Sequence, residues 1–237
     1  MADKTVAIVQ SCYIPWKGYF DLIGFADEFI LYDDRQYTRR DWRNRNRIKT
    51  PQGARWLTIP VQVKGRYHQR IDETLVADED WARTHWRTLE LNYATAPYFA
   101  EYRGVFEPLY LGLREERLSI VNRIFIEAIC DVLGIGTKLS WSTDYEAEDG
   151  KSERLVSLCR AAGASTYLSG PNAKDYLDEE AFEAAGIAVR YMDYEGYPVY
   201  EQRHPPFDHH VTALDLIFNT GAEAPAYLKS PGRVGVP

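Results

Sequence analysis

The chain predicts an α/β fold, a three-layer core on a parallel sheet with a mostly helical insertion between its halves. Three observations carry this. The opening reads strand, loop, helix, strand; residues 78–134 carry apolar side chains at helical spacing; and after them short β-branched runs again alternate with helical patterns.

Residues 5–9 (TVAIV) form a short β-branched apolar run, the mark of a buried strand. Residues 10–18 (QSCYIPWKG) make a polar and aromatic turn, broken by Pro15 and closed by Gly18. Residues 19–26 (YFDLIGFA) predict a helix and 28–32 (EFILY) a second strand. Such a βαβ start implies a parallel sheet, whose ligands sit at the carboxyl ends of strands. Gln10 and Tyr13 are thereby expected beside Asp33, Asp34 and Gln36. Residues 35–49 (RQYTRRDWRNRNRIK) hold seven cations against Asp41 alone, and 55–63 (RWLTIPVQV) resume strand character. Three apolar patterns then predict helices, WARTHWRTLELNY, FEPLYLGL and LSIVNRIFIEAICDVLG, with Pro97 as punctuation. Further on, strands are expected at 137–142, 166–169 and 188–193, and helices at 151–162, 176–185 and 211–219, before a Gly/Pro-rich tail. The expected division is a core of residues 1–77 and 135–237 with an insertion at 78–134, all one compact unit. That insertion is read as a lid, a homodimer face or part of the core.

Composition narrows the function classes. A net charge of -7 weighs against a general nucleic-acid coat. No apolar run reaches the roughly 18–20 residues of a membrane span, and MADKTVAIVQ lacks the pattern of a secretory signal. The cytoplasm is the expected compartment. Cys12, Cys130 and Cys159 are far apart and form no CxxC pair, which argues against a disulfide scaffold or structural zinc, and no metal is expected. Seventeen tyrosines and six tryptophans supply core volume, and also suit stacking on sugars or bases.

The basic segment is the first chemical candidate. Seven cations on 15 residues repel one another unless anions are near, and arginine captures phosphate or carboxylate bidentately. It reads as a site for an anionic small molecule, such as a nucleotide sugar's pyrophosphate or coenzyme A, or as a solvated loop neutralised by the acidic surplus. Asp33 and Asp34 could hold a metal, orient an amine, act as general base, or hold the neighbouring arginines. His209, just before a predicted helix, suits proton transfer near neutral pH, or caps the helix. Ser169-Gly170-Pro171 lets backbone N–H groups approach a phosphate, or is a plain β–α turn. Cys12 is a nucleophile candidate, with burial as the commoner use of a free thiol.

With these segments in view, the chain resembles the WbqC-like family of bacterial surface-polysaccharide and O-antigen biosynthesis proteins. The resemblance rests on IVQSCYIPWKGYFDLI, EFILYDDRQYTRRDWRNRNRIKTPQGARWLTIPV, HWRTLELNY with APYF, TYLSGPNAKDYLD and FDHHVTALDLIFNTG. Gln10, Tyr13, Gly18, Asp33, Asp34, Gln36, Tyr37, Arg39, Arg40, Asn44, Arg45, Lys49, Ser169, Gly170 and His209 sit at its pattern positions. Cys12 and His210 depart from the pattern, which makes His209 the better base of the two histidines. The resemblance implies work on an unusual sugar or modified glycan, and a fold broadly like nucleotidylyltransferase-type α/β proteins.

The expected activity is N-acyl or aminoacyl transfer to a nucleotide-linked amino sugar, with acyl-coenzyme A or an acyl-carrier protein thioester as donor. Arg39, Arg40, Arg45 and Lys49 would bind the pyrophosphate or the carrier, and Asp33, Asp34 or His209 would take the amine's proton. Two other classes stand beside it: nucleotidyl transfer with Mg²⁺ and a nucleoside triphosphate, and a non-catalytic sugar- or carrier-binding subunit.

Overall fold

The structure, a computed structural model, describes residues 3–230. Of the Gly/Pro-rich tail expected after Asn219, Gly221–Tyr227 form a short 3-10 helix, and the residues after 230 lie outside the described ones. A parallel five-stranded sheet is built from β1 (Thr5–Val9), β2 (Glu28–Leu31), β5 (Lys138–Trp141), β6 (Thr166–Ser169) and β7 (Ala188–Tyr191), in the order β5-β2-β1-β6-β7. The pairs β1–β2 (Val6 opposite Glu28) and β1–β6 (Thr5 opposite Thr166) fix the register of the centre. Counting only these strands, the order is that of a doubly wound sheet, whose order reverses between β1 and β6.

Side chains alternate across the sheet with period two, and each face has its own core. Ala7, Phe29, Leu31 and Leu168 point to one face, where they meet α1 (Lys17–Phe25), α2 (Trp81–Tyr93), α3 (Phe99–Gly112), α4 (Leu118–Val132) and α7 (Ala213–Thr220). Val6, Ile8, Ile30 and Tyr167 point to the other, covered by α5 (Ser152–Ala161) and α6 (Glu179–Ala184). The three layers follow from this alternation. Helices α2 to α4 directly precede β5 in the chain, and Phe218 of α7 keys into them against Tyr93, Phe99 and Phe106, with centroids 5.0 to 5.8 Å apart.

Three boundaries differ from the sequence reading for identifiable reasons. The run 55–63 yields strand only to Thr58, in β4 (Gly53–Thr58), because Pro60 lacks an N–H for a ladder. Its antiparallel partner is β3 (Arg45–Thr50), cut from the basic segment itself. Helix α6 starts at Glu179 rather than 176, because Asp178 caps it, its Oδ1 accepting the Ala181 N–H at 3.2 Å.

Candidate functional site

Where the strand order reverses, the loops leaving β1 and β6 diverge and open a crevice. A cleft of about 1020 Å³ occupies it. Its floor is Val9, Gln10 and Cys12 after β1 and Ser169 and Gly170 after β6; Trp16, Tyr19, Tyr32, Trp42, Tyr176 and Tyr194 supply aromatic walls. Arg35, Arg43, Lys151 and His210 bring the ionisable nitrogen, and among the described residues no Asp or Glu lines the cleft. The chain as a whole carries a net charge of -7, so the lining has the opposite balance of charge.

Arg43 is anchored rather than free. Its Nη1 donates to the carbonyls of Gln10 (3.0 Å) and Ser11 (3.2 Å), and Asp41 lies 3.7 Å from its Nε. Arg35 stacks over Tyr32 with its guanidinium carbon 4.9 Å from the ring centre, and donates to Asp34 at 3.2 Å. Lys151 is exposed and has no ion-pair partner among the described residues. Trp16 lies over the start of α1 because residue 18 is glycine: a Cβ there would fall inside the indole. His210 stacks on that indole, 5.3 Å between centroids and 30° between planes, with its Nδ1 3.7 Å from Asp208 Oδ1.

The carboxylates singled out from sequence lie behind the cleft. Asp33 is buried; its Oδ1 accepts the Ser11 N–H at 2.7 Å, and its Oδ2 has no hydrogen-bond partner among the described residues. Burial pushes its carboxyl up to about 6, against the pull of the Ser11 hydrogen bonds and the nearby Arg43 charge. Asp34 accepts from Ser142 Oγ (2.8 Å), Arg35 and Arg154. Burial opposes its ionisation, but Arg35, Ser142 and Arg154 outweigh burial and hold it below the usual carboxylate range. His209 packs against Phe207 and Tyr197; burial, then the Lys17 charge, lowers its basicity, so the ring is neutral at pH 7. Burial lifts the Cys12 thiol to about 11, which leaves it protonated on the cleft floor.

Of the binding residues expected from sequence, Gln10, Gln36, Ser169 and Gly170 line the cleft. The Gln10 carbonyl also accepts from Tyr19 at 3.1 Å. The others are held elsewhere. Tyr13 is buried in a chain of hydrogen bonds with Tyr110 (2.7 Å) and His85 Nδ1 (2.9 Å). His85 Nε2 faces the Thr58 carbonyl, which can only accept, so Nδ1 accepts from Tyr13 and Tyr13 accepts from Tyr110. Lys49 is buried, its ammonium on the Pro206 carbonyl and its N–H on Tyr93 Oη (2.8 Å), which donates to Asp215 (2.8 Å). Asn44 donates to the Ile59 carbonyl at 2.7 Å, and Tyr37 is buried. Arg39 donates to the Val63 carbonyl at 3.1 Å, Arg45 lies over Trp56, and Arg40 is exposed at φ 59°.

Sequence reasoning did not single out Arg35, Arg43, Lys151 and Trp16, and it ranked His210 below His209. The first two belong to the basic segment, and the signal that could have separated them is proximity to strand ends: Arg35 follows β2 by four residues. Lys151 has no local signal. Among the described residues, no group of three His, Cys, Asp or Glu side chains is arranged to hold a metal ion, and no helix is long and apolar enough to cross a membrane.

Comparison with known proteins agrees with this picture at the family level. The model of the WbqC-like protein family matches residues 10–227. An uncharacterized protein of Mycobacterium tuberculosis, Rv1507c, is 58% identical over 226 residues, which are 95% of this chain and 98% of that protein. No solved structure matches the chain. The family match runs from the cleft floor at Gln10 to Tyr227, beyond α7, and the chain belongs to the WbqC-like protein family.

Proposed function

We propose that the cleft binds a nucleotide-linked amino sugar and that the protein transfers an acyl or aminoacyl group to its amine, as a step in bacterial surface-glycan biosynthesis. The observation that supports this most is the lining: cations at Arg35, Arg43 and Lys151, aromatic walls, and no carboxylate among the described residues. A pyrophosphate suits the cations, and a base or sugar ring suits Trp16, Tyr32 and Tyr176.

In this reading the proton acceptor is His210, which lines the cleft, rather than His209, Asp33 or Asp34, which do not. The amine attacks the carbonyl carbon of a thioester donor, acyl-coenzyme A or a carrier-bound acyl group. The C–N bond forms, the C–S bond breaks, and the amine proton passes through His210 to the departing thiolate. The Gln10 side-chain amide, or backbone N–H groups at Ser169 and Gly170, would face the developing oxyanion.

The test is thiol release by the purified protein from a panel of acyl-coenzyme A donors with nucleoside-diphosphate amino sugars as acceptors. Turnover that falls roughly 100-fold in His210→Ala supports the assignment; turnover unchanged in that variant contradicts it. Nucleotide-sugar binding without turnover on any donor points to a binding subunit, and pyrophosphate release from a triphosphate with Mg²⁺ to nucleotidyl transfer.

A further inference from the structure

The charge of this chain is divided unevenly. Residues 35–70 contain eleven Arg and Lys and one acid, Asp41, although the chain as a whole is net -7. Part of this segment folds back on itself, residues 36–39 meeting residues 63–70. Gln36 Nε2 donates to the Tyr67 carbonyl at 3.1 Å, Arg39 donates to the Val63 carbonyl, and Gln36 bridges Arg70 in antiparallel fashion. The turn at 38–42 and the loop at 63–67 therefore lie together at the rim of the cleft, which Gln36 and Trp42 line.

Arg39, Arg40, Arg55, Lys64 and Arg66 are exposed, and none makes an ion pair among the described residues. The exposed aromatics of the same segment are Trp42, Trp56 and Tyr67, the last 77% exposed. Trp42 and Trp56 touch, their centroids 5.1 Å apart, and Arg45 caps Trp56 at 4.1 Å. A protein-binding surface, although also enriched in Arg and aromatic rings, sets them about a contiguous apolar core depleted of charge. Here cations and aromatics are interleaved, the composition found at the headgroup level of membranes, where Trp and Tyr settle and Lys and Arg meet anionic lipid.

We infer that this rim is a peripheral docking surface for an anionic lipid bilayer, on which the protein rests with the cleft mouth turned toward the headgroups. The acidic remainder of the chain is repelled by the same surface and enforces this orientation. The inference is independent of what occupies the cleft, because the cations that carry it lie outside the cleft lining.

Flotation of the full chain with vesicles of phosphatidylglycerol and phosphatidylcholine, in the absence of nucleotide, tests it. Binding is expected to these vesicles at low salt, to fade at high salt, and to be missing with pure phosphatidylcholine. The pair Lys64→Glu and Arg66→Glu should weaken binding by about tenfold or more. Arg160→Glu with Arg190→Glu alters the net charge equally on exposed sites of α5 and β7, and should change it little. Equal loss in both pairs would reduce the effect to overall charge and overturn the proposal. So would no binding to anionic vesicles, or retention by RNA or polyglutamate but not by vesicles.

Discussion

Asp33 shows how burial under a binding site becomes a pH dependence. Its carboxyl is shifted to about 6 by desolvation, above its value in an unfolded chain. The folded state therefore binds more protons than the unfolded state in between, and stability falls as pH rises from about 4 to about 6 and then levels. Two pH units correspond to about 3 kcal/mol. Asp33→Asn keeps an oxygen for the Ser11 N–H and removes the buried charge, so it should raise the unfolding midpoint at pH 7.5 and leave it nearly unchanged at about pH 3, each about one unit or more outside that window. Equal effects at both pH values would contradict this account. Tyr13→Phe removes the donor to His85 Nδ1 and the acceptor for Tyr110, both buried, and should cost about 1–3 kcal/mol in a denaturant titration. None of this was legible in the sequence. Tyr13 and Asp33 stood out there as polar groups after strands, and nothing in the linear pattern separates a side chain that faces a cleft from one that lies beneath it.

At the scale of elements the sequence was more informative, because periodicity is a local property. The run TVAIV and the helical pattern WARTHWRTLELNY mark β1 and α2 directly, since burial on two faces or on one stripe leaves an apolar signature. Strand β3 was hidden because Arg45 and Arg47 stand half-buried on one face of RNRIKT, and their charge masks the alternation of Asn46, Ile48 and Thr50, which are buried on the other. In the five-stranded sheet, Glu28 ties β2 to its neighbours: it accepts from Lys4 (2.8 Å), Ser140 of β5 (2.6 Å) and Tyr145, and Lys138 lies 3.0 Å away. Burial opposes its ionisation, but these four partners outweigh burial and bring its carboxyl down to about 2. Its folded value lies below the unfolded one, so its contribution is complete above about pH 4.5 and fades as pH falls toward 2. Glu28→Gln should therefore lower the unfolding midpoint near neutral pH, and the difference from wild type should shrink in acid; a constant difference would argue against it. Gly18 acts through an element start. Gly18→Ala drives the Trp16 indole from its place over α1 toward the cleft, and should weaken nucleotide binding more than it lowers stability.

For the whole molecule, topology decides what sequence order cannot. The sheet order brings the β1 loop, the β6 loop and the start of α5 to one crevice, so Lys151 faces Arg43 and Gln10 from the second half of the chain. The seven cations of the basic segment turn out to serve different ends: Lys49 is buried with the Tyr93–Asp215 network, Arg45 covers Trp56, and Arg35 and Arg43 line the cleft. The most direct test of the account is a calorimetric titration of nucleoside-diphosphate sugars into wild type and Lys151→Glu. Lys151 is exposed and outside every ion pair among the described residues, so the substitution should leave the unfolding midpoint within about 0.5 kcal/mol of wild type. Saturable binding that weakens by about tenfold or more in Lys151→Glu is the predicted result, the loss expected of one charged contact to phosphate. Equal affinity in the two proteins would contradict a cleft built for an anionic ligand.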